Sequence, residues 1–282
     1  MIDYPQLLLL GAISGFTIFI GLPLAAVKNL SSRKKGFLNA FSLGILVFLI
    51  IDIFSHAWES TEDVVSEAFT GNALFGDAII DLVALFGGIA IGLFGLVWYE
   101  HEATIKRVPQ ILSLENIQKG DDHLHQLFHE TSAYKLAMMI AVGIGFHNIS
   151  EGLAIGQSYA AGEVGLALLL IIGFATHNTT EGFGIASPIS GLSKKPTIRF
   201  MILLGLVGGG PTFVGTLIGS LWFSSVTYIL FLSIAGGALI YVSMLMYNTG
   251  RKHTSNSVIM AGIFVGICIG FATDLIVHLG EL

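Results

Sequence analysis

Of 282 residues, 54% are hydrophobic and only 11% are charged, with a mean hydropathy of +0.80, whereas a soluble domain carries roughly 25% charged residues. That balance excludes a water-soluble globular protein and gives no expectation of a nucleic-acid partner; the formal net charge of -6 says less than where the charges fall. Apolar runs of about 20 residues, each long enough to cross ~30 Å of hydrocarbon as a helix, place the chain in a lipid bilayer.

The opening MIDYPQ has no basic residue before the first apolar run and no small-residue cleavage site after it, so it reads as a retained first span rather than a signal peptide. Eight apolar segments follow, at about 6–27, 37–57, 78–98, 135–157, 164–187, 199–222, 227–247 and 257–279. Backbone polar groups in lipid must pair internally, and the runs are too long for barrel strands. The expected fold is all-α, a polytopic membrane helix bundle of eight transmembrane helices in a single domain over residues 1–282.

The charges orient it. Lys28, Arg33, Lys34 and Lys35 lie on the first connection, Lys106, Arg107, Lys119 and Lys135 on the third, Lys194, Lys195 and Arg199 on the fifth, and Arg251 and Lys252 on the seventh, which accounts for all 13 basic residues. The second connection, 58–77, holds Glu59, Glu62, Asp63, Glu67 and Asp77 without a Lys or Arg. The positive-inside rule then makes the odd connections cytoplasmic and both termini extracytoplasmic, a multi-pass arrangement expected in the plasma membrane.

The longest connection, 100–134, is by this rule a cytoplasmic loop, and it carries His101, His123, His125 and His129. The HLHQLFH run is a weak cation-binding candidate at His123, His125 and His129, or simply a solvated amphipathic loop. Glycines recur at four-residue spacing inside spans, at Gly11 and Gly15, Gly152 and Gly156, Gly215 and Gly219, and Gly262, Gly266 and Gly270; small residues so spaced let helix backbones approach closely. Gly208-Gly209-Gly210-Pro211 in the sixth span is expected to bend or unwind its helix. The one cysteine, Cys268, excludes an internal disulfide and a thiolate metal cluster.

The chemistry lies in spans four and five. Residues 147–156 read HNISEGLAIG and residues 177–186 read HNTTEGFGIA. On a helix, i and i+4 share a face with i+3 beside them, so His147, Asn148 and Glu151 cluster, and His177, Asn178 and Glu181 repeat the cluster. Both motifs fall near the bilayer midplane, where an ionisable side chain costs about 2.5–3.5 kcal/mol on insertion scales. One divalent cation held by two glutamates and two histidines makes a site without net charge. Mixed imidazole and carboxylate donors suit Zn2+, Fe2+, Co2+, Ni2+ or Mn2+ better than Mg2+ or Ca2+. Metal binding at a pair of buried carboxylates is expected to displace protons.

Two further i, i+4 pairs, Asp52 with His56 in span two and Asp274 with His278 in span eight, fall towards the outer ends of their spans. They read either as an entry site feeding the centre or as interfacial polar caps.

The eight-span layout, the long His-containing connection after span three and the paired HNISEG and HNTTEG motifs resemble the ZIP (Zrt/Irt-like) family of divalent-metal transporters. The resemblance implies movement of zinc or other transition metals into the cytoplasm, with the metal as transported substrate and no separate cofactor. It also implies central ligands His147, Asn148, Glu151, His177, Asn178 and Glu181, and a bundle able to pair as a homodimer. Two features depart from the family pattern. Ser150 and Thr180 stand where many members have proline, and LVGGGPTF in span six lacks the carboxylate that builds a second metal position, so one central metal is expected. Span seven, ALIYVSMLMYN, also lacks the acidic or histidine residue often found there, which leaves its role to packing and makes Asp52 or Asp274 the more attractive candidate for an auxiliary ligand. An intramembrane metal-dependent hydrolase is an alternative, although HExxH is absent, and so is a metal-sensing membrane protein.

Overall fold

The computed structural model describes residues 3–27, 30–71, 73–114, 121–162, 164–192, 195–222, 224–251 and 254–281, without the side chains of 103–131, 164–166, 169–170, 249 and 276–281. The described residues form helices joined by short turns. These are α1 (Tyr4–Phe16), α2 (Ile18–Gly21), α3 (Ser32–Thr70), α4 (Phe75–Leu114), α5 (Asp121–Ala160), α6 (Val164–Ala186), α7 (Ile198–Leu221), α8 (Ser225–Gly250) and α9 (Asn256–Glu281), with 3-10 turns at Leu22–Ala26 and Ser187–Ile189. The chain is an all-α polytopic helix bundle.

Among the described residues, seven helical stretches are long and apolar enough to cross a membrane. The described stretch of α6 is too short to count among them, and the packing requires α6 to cross as well. Gly145 of α5 lies on Val207 of α7 and Gly156 of α5 on Thr216, so residue numbers rise together along both helices and the two run parallel. Two consecutive crossings cannot be parallel, so the chain must return between them, and α6 is the element that returns it. The same register shows α3 parallel to α9 (Gly36 on Thr254, Gly44 on Ile263, Gly270 on Phe48) and α4 parallel to α8 (Gly88 on Leu230, Gly92 on Ile234). Each pairing joins crossings of like parity, as eight alternating spans demand.

These pairs assemble into two groups. In one, α1 and α2 pack on α6 and α7, and α5 packs on α6 and α7; in the other, α3 packs on α4, α8 and α9, and α4 packs on α8. The groups meet along α5–α8, α6–α9 and α3–α6. The main apolar core runs through this seam and includes Ile18, Leu46, Leu49, Ile140, Ile144, Ile185, Leu239 and Val242.

Several expectations need correction. The second connection is mostly helix, because α3 continues to Thr70 and ends in a left-handed Gly71 cap with φ of 81°. The 100–134 connection is likewise helical at both ends, with α4 running to Leu114 and α5 beginning at Asp121. Hydropathy marks where lipid stops, not where a helix stops. The Gly208–Pro211 run neither ends nor interrupts α7 in the helical assignment. The break falls in the first span, at Thr17 between α1 and α2, followed by the 3-10 turn containing Pro23. The close approach expected of Gly262, Gly266 and Gly270 at four-residue spacing is present: they lie on Ala40, Phe41 and Phe48.

Candidate metal centre

Helices α5 and α6 run antiparallel through the turn at Ala161–Gly162, and the two motifs sit at matching distances from it. They therefore meet at one level: the rings of His147 and His177 lie 5.8 Å apart between centroids. Each motif folds back on itself as the i, i+4 spacing predicts. His147 Nε2 is 3.4 Å from Glu151 Oε1, and His177 Nε2 is 3.6 Å from Glu181 Oε1. Donor atoms of His147, Glu151 and His177 all lie within 4.8 Å of one another. Ligands on one tetrahedral ion at Zn–N and Zn–O bond lengths stand about 3.4 Å apart, so small side-chain rotations would bring these three onto a common centre. Glu181 stands beside them, fully buried.

The two asparagines hold the pair of motifs in place. Asn148 Nδ2 donates to Glu181 Oε2 at 3.1 Å and to the Gly208 carbonyl of α7 at 2.9 Å. Asn178 Nδ2 donates to the Ser14 carbonyl of α1 at 3.0 Å, and the same carbonyl accepts from Thr17 Oγ1 at 2.6 Å. Both anchors lie where a helix backbone is imperfect. Pro211 has no N–H to offer the Val207 carbonyl, one residue from Gly208, and Ser14 lies in the last turn of α1 before the break at Thr17. Each asparagine thus ties its motif to the backbone of a neighbouring helix, Asn148 to α7 and Asn178 to α1.

The hydroxyls and glycines beside the glutamates pack without breaking the helices. Helices α5 and α6 pass unbroken through Ser150 and Thr180, and Thr180 Oγ1 donates to the His177 carbonyl at 2.7 Å. Gly152 and Gly182 are contact points: a Cβ on Gly152 would strike the Thr212 carbonyl of α7, and one on Gly182 the Ile18 carbonyl of α2.

All six motif residues are buried, and each presents at least one buried polar atom without a hydrogen-bond partner among the described residues. These are His147 Nδ1 and Nε2, Asn148 Oδ1, Glu151 Oε2, His177 Nε2, Asn178 Oδ1 and Glu181 Oε1. Buried polar groups are ordinarily satisfied, at rates of roughly 90% or more. Among these atoms, those of His147, Glu151 and His177 lie together, two imidazoles and a carboxylate in a set that could hold a metal ion.

A second layer leads away from the centre along α3. Phe48 packs against His177 with ring centroids 6.3 Å apart, and Asp52 and His56 follow it at successive turns. His56 Nδ1 lies 3.0 Å from the Asp52 carbonyl and 3.5 Å from Asp52 Oδ1, and the side chains are 46% and 18% exposed respectively. The pair thus steps from the centre towards the surface. Sequence reading missed Phe48, which buries itself between His177 and Phe271 of α9; nothing but the i, i+4 step back from Asp52 marked it. The side chains of His278, His123, His125 and His129 lie outside the described residues.

The family model described as "ZIP Zinc transporter" matches residues 100–277 of the chain. Among curated proteins, the chain is similar to zinc transporter ZIP10 of Mus musculus, 27% identical over 172 residues, and to zinc transporter ZIP10 of Homo sapiens, 27% identical over 175 residues. Each alignment covers 57% of this chain and 20% of the relative, so the chain matches about a fifth of the length of those proteins.

Proposed function

Because the chain belongs to the ZIP zinc transporter family, we propose that it carries divalent transition-metal ions, zinc foremost and iron, manganese, cobalt or cadmium as further substrates, through the plasma membrane into the cytoplasm. The observation that carries this reading is the convergence of His147, Glu151 and His177, with unpartnered buried atoms also on Asn148, Asn178 and Glu181 of the same two motifs. Two carboxylates balance one M2+, the imidazoles make the site softer than an all-oxygen cage, and the asparagine amide oxygens add neutral donors. The absence of an acidic residue from the described part of α7 facing this point supports a single central ion.

Asp52 and His56, with Asp274 and His278, form the entry path in this proposal. A divalent ion first meets the half-exposed His56 and Asp52, then passes the Phe48 edge to reach His177. Entry from this end and release at the basic end give inward movement, with the termini outside as the charge distribution suggests. A homodimer of such bundles belongs to the same proposal and rests on family likeness alone. Since the family is one of transporters, flux rather than hydrolysis is the expected output of these donors.

The test is uptake of Zn2+, Fe2+, Mn2+ and Cd2+ into liposomes containing the purified chain, beside His147→Ala and Glu181→Ala. Saturable uptake is expected for the unaltered protein, with a fall of at least about tenfold in either variant. Equal flux in both variants would sink the central site. Metal binding without flux in the unaltered chain would make it a sensor.

A further inference from the structure

At the basic end of the α3–α9 pair, far along α3 from the metal donors, an open groove of about 670 Å³ runs between the two helices. Its volume falls within the roughly 300–1,000 Å³ of small-molecule sites. Arg33 and Lys34 stand in the first turn of α3 and Ser257 in the first turn of α9, forming a polar lip; Phe37 and Leu38 of α3 and Ala261 of α9, one turn deeper, form an apolar wall.

The lip is cationic and available. Arg33 and Lys34 are exposed, and among the described residues no carboxylate pairs with either. Lys35, next in sequence, lies elsewhere, with its Cε against Gly191. The wall is half-buried or exposed hydrocarbon in a helix that enters the bilayer, so lipid tails are its surrounding medium. An occupant must therefore be anionic at one end and apolar at the other, in that order from the surface inwards. A free anion would leave the wall unused, and a lipid without net charge would leave both cations unpaired. Basic pockets between helices at a membrane surface meet these demands with an acidic headgroup.

We propose that this groove binds an anionic phospholipid, with its phosphate against Arg33 and Lys34 and one acyl chain descending along Phe37, Leu38 and Ala261. The site is independent of metal binding, and it would tether the α3–α9 pair to the membrane surface.

The full chain in detergent is the material for the test, with phosphatidylglycerol, phosphatidylcholine and inorganic phosphate as probes, read by thermal unfolding and by native mass spectrometry. Phosphatidylglycerol is expected to raise the unfolding midpoint by several degrees and to remain bound as at least one lipid per chain, while the other two probes leave both readouts unchanged. Arg33→Gln with Lys34→Gln should lose at least about half of the shift. Ala261→Trp, which fills an exposed wall position while keeping both cations, should lose it too and guards against a charge variant that does not fold. An unchanged phosphatidylglycerol shift in either folded variant overturns the site. So does an equal shift with phosphatidylcholine, or with inorganic phosphate alone.

Discussion

Helices within each of the two groups touch backbone to backbone at several glycines, whereas the contacts across the seam at Gly143, Phe146 and Phe48 run through side chains. Inside the group that carries the metal donors, Gly15 faces the Gly209 carbonyl, Gly152 and Gly156 face the Thr212 and Thr216 carbonyls, and Gly182 faces that of Ile18. Inside the other group, Gly44 faces the Ile263 carbonyl, Gly92 that of Ile234 and Gly266 that of Phe41. Across the seam, Gly143 of α5 meets the end of the Leu239 side chain, Phe146 stacks near Phe231 of α8 with centroids 6.4 Å apart, and Phe48 meets His177. A polar clasp closes one end: Lys135 Nζ of α5 donates to the Glu100 carbonyl of α4 at 3.0 Å, and Tyr241 of α8 donates to the Glu100 carboxylate. Interlocked backbones resist sliding, since the carbonyl against each of these glycines is rigid. Side-chain contacts re-form in a new register. In the carrier proposed above, the seam would be the surface along which the site moves, and the two groups the parts that move against each other.

The harshest way to break this comparison is to put bulk into each kind of contact. Gly152→Leu drives a side chain into the Thr212 carbonyl and the Gly215 backbone, and neither can yield without separating α5 from α7. Loss of monodisperse folded protein on size-exclusion chromatography is expected. Gly143→Ala asks only that the flexible tip of Leu239, 3.0 Å from the new methyl, shift by a few tenths of an ångström. It should fold normally and change flux less than about threefold. Similar misfolding of both variants would erase the distinction between seam and interior.

A smaller effect, and a sharper one, comes from cross-linking. In a Cys268→Ser background, Phe146→Cys with Phe231→Cys spans the seam, while Phe16→Cys with Phe213→Cys joins α1 to α7 inside the metal-bearing group, from aromatic pairs of nearly equal separation at 6.4 and 6.3 Å. One short bifunctional thiol reagent serves both. Linking the seam pair should lower metal flux about tenfold, reversibly with reductant, and linking the interior pair should leave flux within about twofold. Full activity of the seam-linked protein would mean that the two groups stay fixed during transport.

Much of this was readable before any coordinates, and the reasons differ by feature. Span number follows from apolar length and charge spacing because hydrocarbon thickness sets both. The twin motifs declared themselves because a helix turns i and i+4 to one face, which needs no tertiary knowledge. The pairing of α3 with α9 did not, since helices at opposite ends of a chain choose partners by matching glycine to carbonyl along their whole length. Nor did the continuity of α7 through Gly208–Pro211: locally, three glycines before a proline favour a break, but Gly15, Ile18 and Asn148 from three other helices pack against that stretch and hold it. The asparagines were legible as neighbours of the metal donors, whereas their grip on the Ser14 and Gly208 carbonyls depended on where other helices happened to have weak backbone.

The mildest perturbation probes the one column of polar residues that approaches the seam from the surface. Asp52 lies on α3, outside the metal-bearing group, one turn from Phe48, which packs on His177. A ligand on the stationary side of a moving seam can hand over an ion but cannot travel with it. Asp52→Ala should therefore weaken uptake at low metal concentration by about three- to tenfold while leaving the maximal rate within about twofold, measured as concentration dependence of Zn2+ flux into liposomes. Glu181, on the side that carries the site, should affect the maximal rate itself. If Asp52→Ala lowered the maximal rate as deeply as Glu181→Ala, Asp52 would belong to the central site and the seam would have to lie elsewhere. If it changed nothing at low metal, the Asp52–His56 pair would be an interfacial polar cap and the ion would enter by another route.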